Sequence, residues 1–161
     1  MKLTNLAVLT AAVAGLSANA FGQLPQSRVL TVEVAQTIAQ QALASCTAAG
    51  YKVTVLVVDG LNAPKALLRA DGATASTTEV AKMKATSVML YNRPSGPATP
   101  PPAGTPLAAP TIPGTITAQG GVPIMVGDAM IGAVAVSGAP GGDKDAACAK
   151  AGIDKVADKL K

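Results

Sequence analysis

Six ionisable side chains that could do chemistry gather around one predicted hairpin and the start of the next helix. They are Asp59, Arg69, Asp71, Glu79, Lys82 and Lys84. At the mouth of a pocket, Arg69 and Lys84 could hold the carboxylates of a small acid, because guanidinium and ammonium groups bind carboxylates through charge and hydrogen bonds. Alternatively, Arg69 pairs with Asp71 or Asp59 and only holds the loop in shape. Lys82 is expected to face water.

Oxygen and sulfur ligands for a metal are few. As a phenolate, Tyr91 could ligate ferric iron, and if that iron is in a haem, Arg69 and Lys84 could hold its propionates. The alternative for Tyr91 is a buried or capping tyrosine. Four methionines could be soft ligands, although a methionine at a core position is more often packing. They are Met83, Met89, Met125 and Met130.

The chain contains no histidine, which excludes several classes of catalytic and metal site. Ser-His-Asp and Cys-His systems cannot form, and the usual zinc ligand and the ordinary proximal haem ligand are missing. No Walker loop is present, and the glycines from Gly138 to Gly142 lack the spacing and strand–helix context of a dinucleotide site. Only a carboxylate or Lys84 could act as a base, so the residues favour binding over catalysis and leave enzyme activity open.

Charge and aromatic content argue against nucleic acid as a partner. The net charge is +4, and the Lys and Arg residues are scattered, usually with acids nearby. One phenylalanine and two tyrosines, with no tryptophan, offer few surfaces on which bases or sugars could stack.

The first twenty residues are typical of a secretory signal peptide. Lys2 gives a positive start, Leu6 to Leu16 an apolar stretch, and Ala18-Asn19-Ala20 a cleavage site, so residues 1–20 are expected to leave after Ala20. The alternative, a membrane anchor, needs a longer apolar run than this one. We therefore expect a periplasmic or secreted protein, with no membrane span in the mature chain of about 140 residues.

Two cysteines, Cys46 and Cys148, belong to a chain that is expected to reach an oxidising compartment. One disulfide is the simplest prediction. It would close a loop of about a hundred residues and stabilise the fold by roughly 4 to 5 kcal/mol on the chain-entropy model. The alternative is two buried free thiols on separate helices.

Apolar periodicity predicts an α+β domain. Residues 21–30 are expected to form a loose arm and residues 31–161 a single domain. The predicted elements are a first helix (Val32–Ala49, N-cap Thr31), a hairpin (Tyr51–Val58 and Lys65–Arg69), a second helix that starts with a capping box from Ser76 to Glu79 and ends near Tyr91, and a last helix capped by Asp143. In the last helix, Gly152 is expected to weaken the middle. This order predicts an antiparallel sheet with helices on both faces.

The second helix is expected to bury a stripe with Lys84 beside it. The stripe consists of Val80, Met83, Ser87, Val88 and Tyr91.

A second hairpin is predicted around Gly127-Asp128, because its glycine can take the positive φ of a tight turn. Both faces of its second strand are apolar, so the sheet is expected to be covered on both sides. Ile131, Ala133 and Ala135 are expected to share one face, and Val134 and Val136 the other.

Residues 93–113 hold most of the twelve prolines and predict an extended, partly polyproline surface loop. A loop this long is a binding element or a mobile insertion, and its composition favours the insertion. Ile116 is expected to begin a short strand after it.

Five motifs in order resemble the GlcG/HbpS family, which is related to the C-terminal domain of PduO-type proteins. They are Val57-Val58-Asp59, Arg69-Ala70-Asp71-Gly72-Ala73, Lys84-Ala85, Gly120-Gly121-Val122-Pro123 and Gly132 to Gly138. The likeness covers about Leu30 to Lys159. Its structural motif positions here are Asp59, Asp71, Gly72, Gly121, Pro123, Gly132, Ser137 and Gly138. Ser87 stands where the family usually has a threonine.

The resemblance implies a profilin-like fold with a five-stranded antiparallel sheet, in domains that often form homo-oligomers. It also implies haem binding, as in secreted members of the family. The first hypothesis is therefore a non-catalytic binding protein for haem or a related tetrapyrrole, with Arg69, Lys84 and Tyr91 as ligand-binding residues. The alternatives are an enzyme or accessory factor that acts on a small hydroxy acid, and a structural, oligomerising module.

Overall fold

The computed structural model describes residues 28–97, 99, 102, 104, 106 and 112–161. The predicted signal peptide, seven residues of the predicted arm at 21–30 and ten of the 21 residues of the proline-rich loop at 93–113 lie outside these residues. The elements are α1 (Val32–Ala48), β1 (Thr54–Asp59), β2 (Pro64–Arg69), α2 (Ala75–Tyr91), β3 (Gly121–Val126), β4 (Ala129–Ser137), α3 (Gly142–Asp154) and a short 3-10 turn (Ala157–Lys159). None of the helices in the described ranges has the length and apolarity needed to cross a membrane.

The four strands form one antiparallel sheet in the order β2-β1-β4-β3. This confirms the antiparallel α+β architecture, but the prediction of five strands is wrong for the described part of the chain. Ile116, which was expected to begin a strand, instead forms backbone hydrogen bonds with a side chain of α2. Its N–H donates to the Ser87 hydroxyl at 2.8 Å, and its carbonyl lies 2.9 Å from the same oxygen.

Helices cover both faces of the sheet, as predicted. α1 and α3 pack on one face, against Val53, Val55 and Val57 before and along β1. α2 packs on the other face, against Leu56 and Val58 of the same strand. Side chains of one strand point alternately to the two faces of the sheet, so β1 contributes residues to both apolar clusters.

α1 starts where the sequence predicts, because the Thr31 hydroxyl accepts the N–H of Val34 at 3.3 Å. The stripe that the helix buries is mostly alanine, with Ile38 the one large fully buried side chain. Leu30, placed by sequence in the loose arm, is only 1% exposed and belongs to the same cluster. The domain therefore begins before residue 31.

β4 lies between β1 and β3 and is buried over most of its length, but one of its residues is on an unexpected face. Ile124 pairs with Gly132 and Met125 with Met130, so Ile131 is an extra residue that forms a β-bulge. The bulge turns Ile131 to the α1 face, whereas Ala133 stays on the α2 face. The prediction that these two residues share a face is therefore wrong.

α2 buries a face that matches the predicted stripe only in part, since Ser87 and Val88 are buried as predicted whereas Val80 and Met83 are only half-buried. Its buried residues are Ala81, Lys84, Ala85, Ser87 and Val88. Small residues face the sheet because Ala133 and Ala135 opposite them allow close approach. Tyr91 is consequently exposed.

The predicted caps of the later helices are also corrected. α2 begins at Ala75 after Thr74, so Ser76 and Glu79 lie inside the helix and do not form a capping box. Glu79 instead pairs with Lys82, which faces water as expected. α3 has Gly141 at its N-cap, with Asp143 in the first turn.

Cys46 of α1 and Cys148 of α3 form a disulfide, with their Cα atoms 5.6 Å apart. This confirms the predicted pairing. Gly152 lies on the same helix interface, where an added Cβ would be 2.6 Å from the carbonyl oxygen of Ile38 and 3.1 Å from the Cβ of Ala42. The glycine allows the two helices to approach closely, a role that its low helix propensity hides in the sequence.

We expect Gly152→Ala to destabilise the protein by about 1 to 3 kcal/mol, because the new methyl group overpacks the α1–α3 interface. Helix propensity alone predicts the opposite sign, a gain of about 1 kcal/mol. Urea denaturation would measure the difference. Ala147→Gly, at an exposed position of the same helix, is the control and should show only the propensity cost. A more stable Gly152→Ala variant would contradict close packing at this site.

Candidate functional site

The three residues predicted to bind a ligand do not share one pocket. Arg69 ends β2, and its guanidinium donates to the carbonyl of Ala73, just before α2 begins. Tyr91 is the last residue of α2, a helix of 17 residues that is about 25 Å long. Lys84 lies between them along the helix but inside the protein, not at a pocket mouth.

Lys84 forms a buried ion pair with Asp145 in the first turn of α3. The two residues are each 3% exposed, and Lys84 Nζ lies 2.7 Å from Asp145 Oδ2. The ammonium also donates to the carbonyl of Val136 on β4 at 2.9 Å. Asp145 Oδ1 accepts the N–H of Ala139 at 3.0 Å. The pair therefore joins helices from opposite faces of the sheet at the point where the chain leaves β4.

Burial dominates the electrostatics of this pair. It lowers the pKa of Lys84 and raises the pKa of Asp145, because each charged form loses hydration. The attraction between the two groups opposes both shifts but does not cancel them. Hydrogen bonds satisfy both side chains, so the arrangement resembles a structural clamp more than an exposed catalytic base.

Gly120 fits closely around the pair. Its φ is +123°, and an added Cβ would lie 2.6 Å from Lys84 Nζ and 2.6 Å from the carbonyl oxygen of Val136. A side chain there would displace the ammonium. Gly120 also lines a cleft of about 310 Å³ between the start of α3 and residues 94–97.

Two serine hydroxyls fix the described ends of the proline-rich loop. Ser87 binds the backbone of Ile116, as described above. Ser95 Oγ donates to the carbonyl of Ala118 at 2.6 Å and accepts the N–H of Gly121 at 2.9 Å. Ser87 is only 2% exposed, and its hydroxyl bonds backbone groups.

A larger cleft, of about 510 Å³, lies beside Arg69. Three chain segments line it: Leu43 and Thr47 of α1, residues 50–52 before β1, and residues 69–71 at the end of β2. Leu43 packs partly on the main core, so the wall that it forms is apolar. The cleft therefore combines an apolar wall with an aromatic ring and charged groups.

The charge in this cleft is mainly positive. Lys52 and Arg69 supply two cations and Asp71 one anion, and a third cation, Lys144, lies with its Nζ 5.7 Å from the centre of the Tyr51 ring. Lys52 makes no hydrogen bond or ion pair with any described residue. An added Cβ at Gly72 would lie 3.1 Å from Lys52 Nζ, so this glycine makes room for the lysine chain.

Asp59 lies at the other end of β1 and has its own partners. Its Oδ1 accepts the N–H groups of Leu61 and Ala63, and its Oδ2 lies 3.7 Å from Lys65 Nζ. The Ala63 N–H bond is the main reason that the pKa of Asp59 is lowered. The suggested pairing of Arg69 with Asp59 is therefore wrong, because Asp59 holds the β1–β2 turn.

Tyr91 lies near exposed apolar residues. It is 37% exposed, and the guanidinium carbon of Arg93 lies 5.5 Å from its ring centre. A shallow cleft of about 280 Å³ lies beside the last turns of α2, where it includes Leu61 and Leu90. This end of the molecule thus presents an aromatic ring and a cation, separate from the cleft at Arg69.

The other motif residues occur where backbones come close together. A Cβ added at Gly121 would lie 2.9 Å from the carbonyl oxygen of Lys84, and one added at Gly138 would lie 2.5 Å from the carbonyl oxygen of Lys52. A Cβ added at Gly132 would clash with the carbonyl oxygen of Val58. Pro123 is on β3, an edge strand, where a missing N–H costs no ladder bond. Ser137 is buried at the end of β4.

Sequence reasoning missed Asp145, Tyr51 and Lys52. Asp145 follows Asp143 and Lys144 in a polar first turn, which is typical of a solvated helix start. Tyr51 and Lys52 precede a strongly apolar strand and give no pattern of their own. In the described residues, no group of three or more His, Cys, Asp or Glu side chains is placed to hold a metal ion.

These features define an α+β protein, with a four-stranded antiparallel sheet between helices and a cationic cleft at one end. The chain belongs to the HbpS-like family, whose model, described as haem degrading protein HbpS-like, matches residues 30–154. This confirms the resemblance to the GlcG/HbpS family.

Solved structures agree with this assignment. A crystal structure of HbpS shares 34% identity, with 83% of this chain and 94% of that chain covered, and a TM-score of 0.70. The structure of a double mutant of HbpS from Streptomyces reticuli shares 29% sequence identity, with 92% of this chain and 97% of that chain covered, and has a TM-score of 0.68. The structure of PduOC in complex with haem shares 17% sequence identity, with 80% of this chain and 95% of that chain covered, and has a TM-score of 0.65. At this identity, the likeness supports the fold alone. None of the curated proteins matches the chain.

Proposed function

We propose that this protein is a secreted or periplasmic binding protein for haem or a related tetrapyrrole, and that it does not turn its ligand over. The observation that carries the proposal is membership of the HbpS-like family. A haem complex among the solved structures with the same fold adds support. The disulfide fits an exported protein, because such bonds persist in oxidising compartments.

The side chains of the cleft fit an acidic, planar ligand. Arg69 presents a guanidinium, Leu43 an apolar wall and Tyr51 an aromatic ring. When bound, a haem would supply a redox-active iron. The chain has no histidine and both of its cysteines are in the disulfide, so tyrosine and methionine are the remaining side chains of the usual axial types. Tyr91 is our proposed axial ligand, and Arg69 the proposed partner of the acidic groups. Because the two residues lie at opposite ends of α2, about 25 Å apart along the helix, they mark two alternative haem positions within one subunit.

Lys84 contributes to this proposal differently from what the sequence predicts. Its ammonium already donates to Asp145 and to the carbonyl of Val136 inside the protein. Direct contact with a ligand would require this pair to open. We therefore propose that Lys84 supports the fold, and that Arg69 supplies the accessible charge.

A second candidate function is turnover of the haem itself. It is favoured by the description of the matching family, which names haem degradation. An enzyme or accessory factor that acts on a small hydroxy acid, and a structural module that assembles into homo-oligomers, are further candidates. Both would leave the protein without specific tetrapyrrole affinity.

A haemin titration of the purified protein, followed by absorbance, tests the proposal. We expect saturable binding with a shifted Soret band, and a weaker shift for Tyr91→Phe. Tyr51→Phe is the matched control, because it changes the only other tyrosine and should leave the axial ligand in place. Broadening of the Soret band without saturation would refute binding. Loss of the Soret band during incubation with a reductant and oxygen, while the protein itself stays intact, would support turnover instead.

A further inference from the structure

Three methionines from three different elements lie at the same end of the sheet. Met89 is near the end of α2, Met125 near the end of β3 and Met130 near the start of β4. Gly60 and Leu61, in the turn after β1, line one cleft with Met89 and a second cleft with Met130, so both of these methionines lie beside the same turn.

The β-bulge at Ile131 determines which side chain lies next to Met125. Ile124 pairs with Gly132, so a regular ladder would place Ile131 opposite Met125, but the register shifts and Met130 takes that position. Directly opposite residues of antiparallel strands share a face, with Cβ atoms about 4.5 to 5.5 Å apart. The bulge therefore brings two thioether side chains together where a regular strand would bring one.

These side chains lie on the α2 face of the sheet. Met130 and Met89 both pack against the apolar cluster of this face, whose members at this end of β1 and β4 are the paired residues Val58 and Ala133. Met89, Met125 and Met130 are each half-buried. Packing thus orders one side of each methionine, and the part that stays open to solvent gives a small ion access.

The chemistry of the group favours a soft metal ion. Thioether sulfur is a soft ligand that selects Cu(I), whereas Mg²⁺ and Ca²⁺ prefer oxygen ligands. The chain has no histidine, and both of its cysteines are in the disulfide. Within the described ranges, no three or more His, Cys, Asp or Glu side chains are grouped to hold a metal ion. Methionine is therefore the only soft ligand type with a free sulfur in the part of the chain that the structure describes.

We propose that Met89, Met125 and Met130 form a binding site for a soft monovalent metal ion, Cu(I) or its chemical analogue Ag(I). The β3–β4 pair supplies two sulfur ligands and the end of α2 supplies the third. Methionine has an unbranched, flexible side chain, so the three sulfurs can adapt to one ion. The site does not depend on the proposed tetrapyrrole function, because it uses neither Arg69 nor Tyr91.

Silver ion is the first probe, because it needs no reductant and leaves the disulfide intact. Protein with isotope-labelled methionine methyl groups would be titrated with Ag(I) in chloride-free buffer and followed by NMR. We expect the methyl signals of Met89, Met125 and Met130 to shift together and saturate at one equivalent. Met83 is the internal control, since it lies six residues before Met89, about 9 Å earlier along the helix and on a different side of it. An equal shift of Met83, or no saturation at one equivalent, would overturn the site.

Leucine substitutions test each ligand separately, because leucine keeps the volume of methionine, removes the sulfur and is well tolerated. Met89→Leu, Met125→Leu and Met130→Leu are each expected to weaken Ag(I) binding by at least about tenfold in calorimetric titrations, since even an outer-shell partner of a metal ion contributes about that much. Met83→Leu is the matched control and should bind like wild type.

Cu(I), supplied with ascorbate in the absence of oxygen and measured by competition with a chromophoric chelator, should give the same order of affinities, and Zn²⁺ should not compete. Circular dichroism would show whether each variant folds, and three separate ligand variants keep the test decisive if one does not. Unchanged Ag(I) affinity in a folded Met130→Leu or Met125→Leu variant would overturn the proposal, as would an equal loss in Met83→Leu. The haemin titration is unaffected by either result.

Discussion

Lys84→Met is expected to lower the free energy of unfolding by about 3 to 5 kcal/mol, the largest effect that we predict for a single side chain outside the disulfide. The substitution removes the ammonium that pairs with Asp145 and leaves the carboxylate buried without a counter-charge. It also leaves the carbonyl of Val136 without its Lys84 donor. Denaturation in urea, followed by circular dichroism, would measure the loss.

Two further variants separate the buried charge from other effects of the substitution. Lys82→Met, two residues earlier on the same helix, breaks an exposed ion pair with Glu79 and should cost less than about 1 kcal/mol. Lys84→Met combined with Asp145→Asn removes both charges, and the amide oxygen can still accept the N–H of Ala139. The double variant should therefore be more stable than Lys84→Met alone. If Lys84→Met costs no more than Lys82→Met, the pair is not the clamp that the structure indicates.

The buried pair and the disulfide connect different parts of the fold. The pair joins α2 to α3, which lie on opposite faces of the sheet, whereas the disulfide joins α1 to α3 on the same face. α3 is thus held from both sides, although it is short and its first turn is polar. These two connections leave the cleft beside Arg69 and the exposed end of α2 free of crosslinks, which is where we place ligand contacts.

Much of the fold could be predicted because single segments determine it. The alternation from Val53 to Val58 predicts a strand that is covered on both faces, and Gly127, with φ of +57°, makes the turn between β3 and β4. Thr31 caps α1 as predicted. In each case the signal lies within a few neighbouring residues.

The errors concern choices that depend on distant partners. The sequence of α2 offers larger apolar residues on one face and alanines on another, and only the small side chains of β4 decide that the alanines face the sheet. That orientation of the helix buries Lys84 and leaves Tyr91 exposed. The partner of Lys84 is 61 positions away, so no local pattern could reveal the pair.

The candidate site was predicted only in part, for a related reason. Arg69 attracts notice because it is a cation within a recognisable motif, and the structure does place it on a cleft. Lys52 joins that cleft only because the β1–β2 pairing brings the two chain segments side by side. The register between β1 and β2 therefore determines which cations are neighbours. The sequence pattern alone does not fix this register, because the pairing contains a shift between Val57 and Val58.

Replacement of both cysteines, Cys46→Ala with Cys148→Ala, is expected to lower the free energy of unfolding by about 4 to 5 kcal/mol. The bond links residues 102 positions apart, so its loss restores a large amount of conformational freedom to the unfolded chain. Both side chains are buried, at 0% and 4% exposure, and alanine fills part of their space. Urea denaturation of the variant and of the oxidised wild type would give the difference.

The same experiment shows whether the disulfide acts mainly on the unfolded state. α1 and α3 also meet through Ile38, Ala149 and the close approach at Gly152, so the folded variant should keep the native circular dichroism spectrum. Its unfolded chain, no longer closed into a loop, should expose more surface and give a steeper dependence on urea. Wild type unfolded in the presence of a reductant should match the variant, because reduction opens the same loop. A loss below about 1 kcal/mol with an unchanged slope would mean that helix packing, and not the closed loop, stabilises this half of the domain.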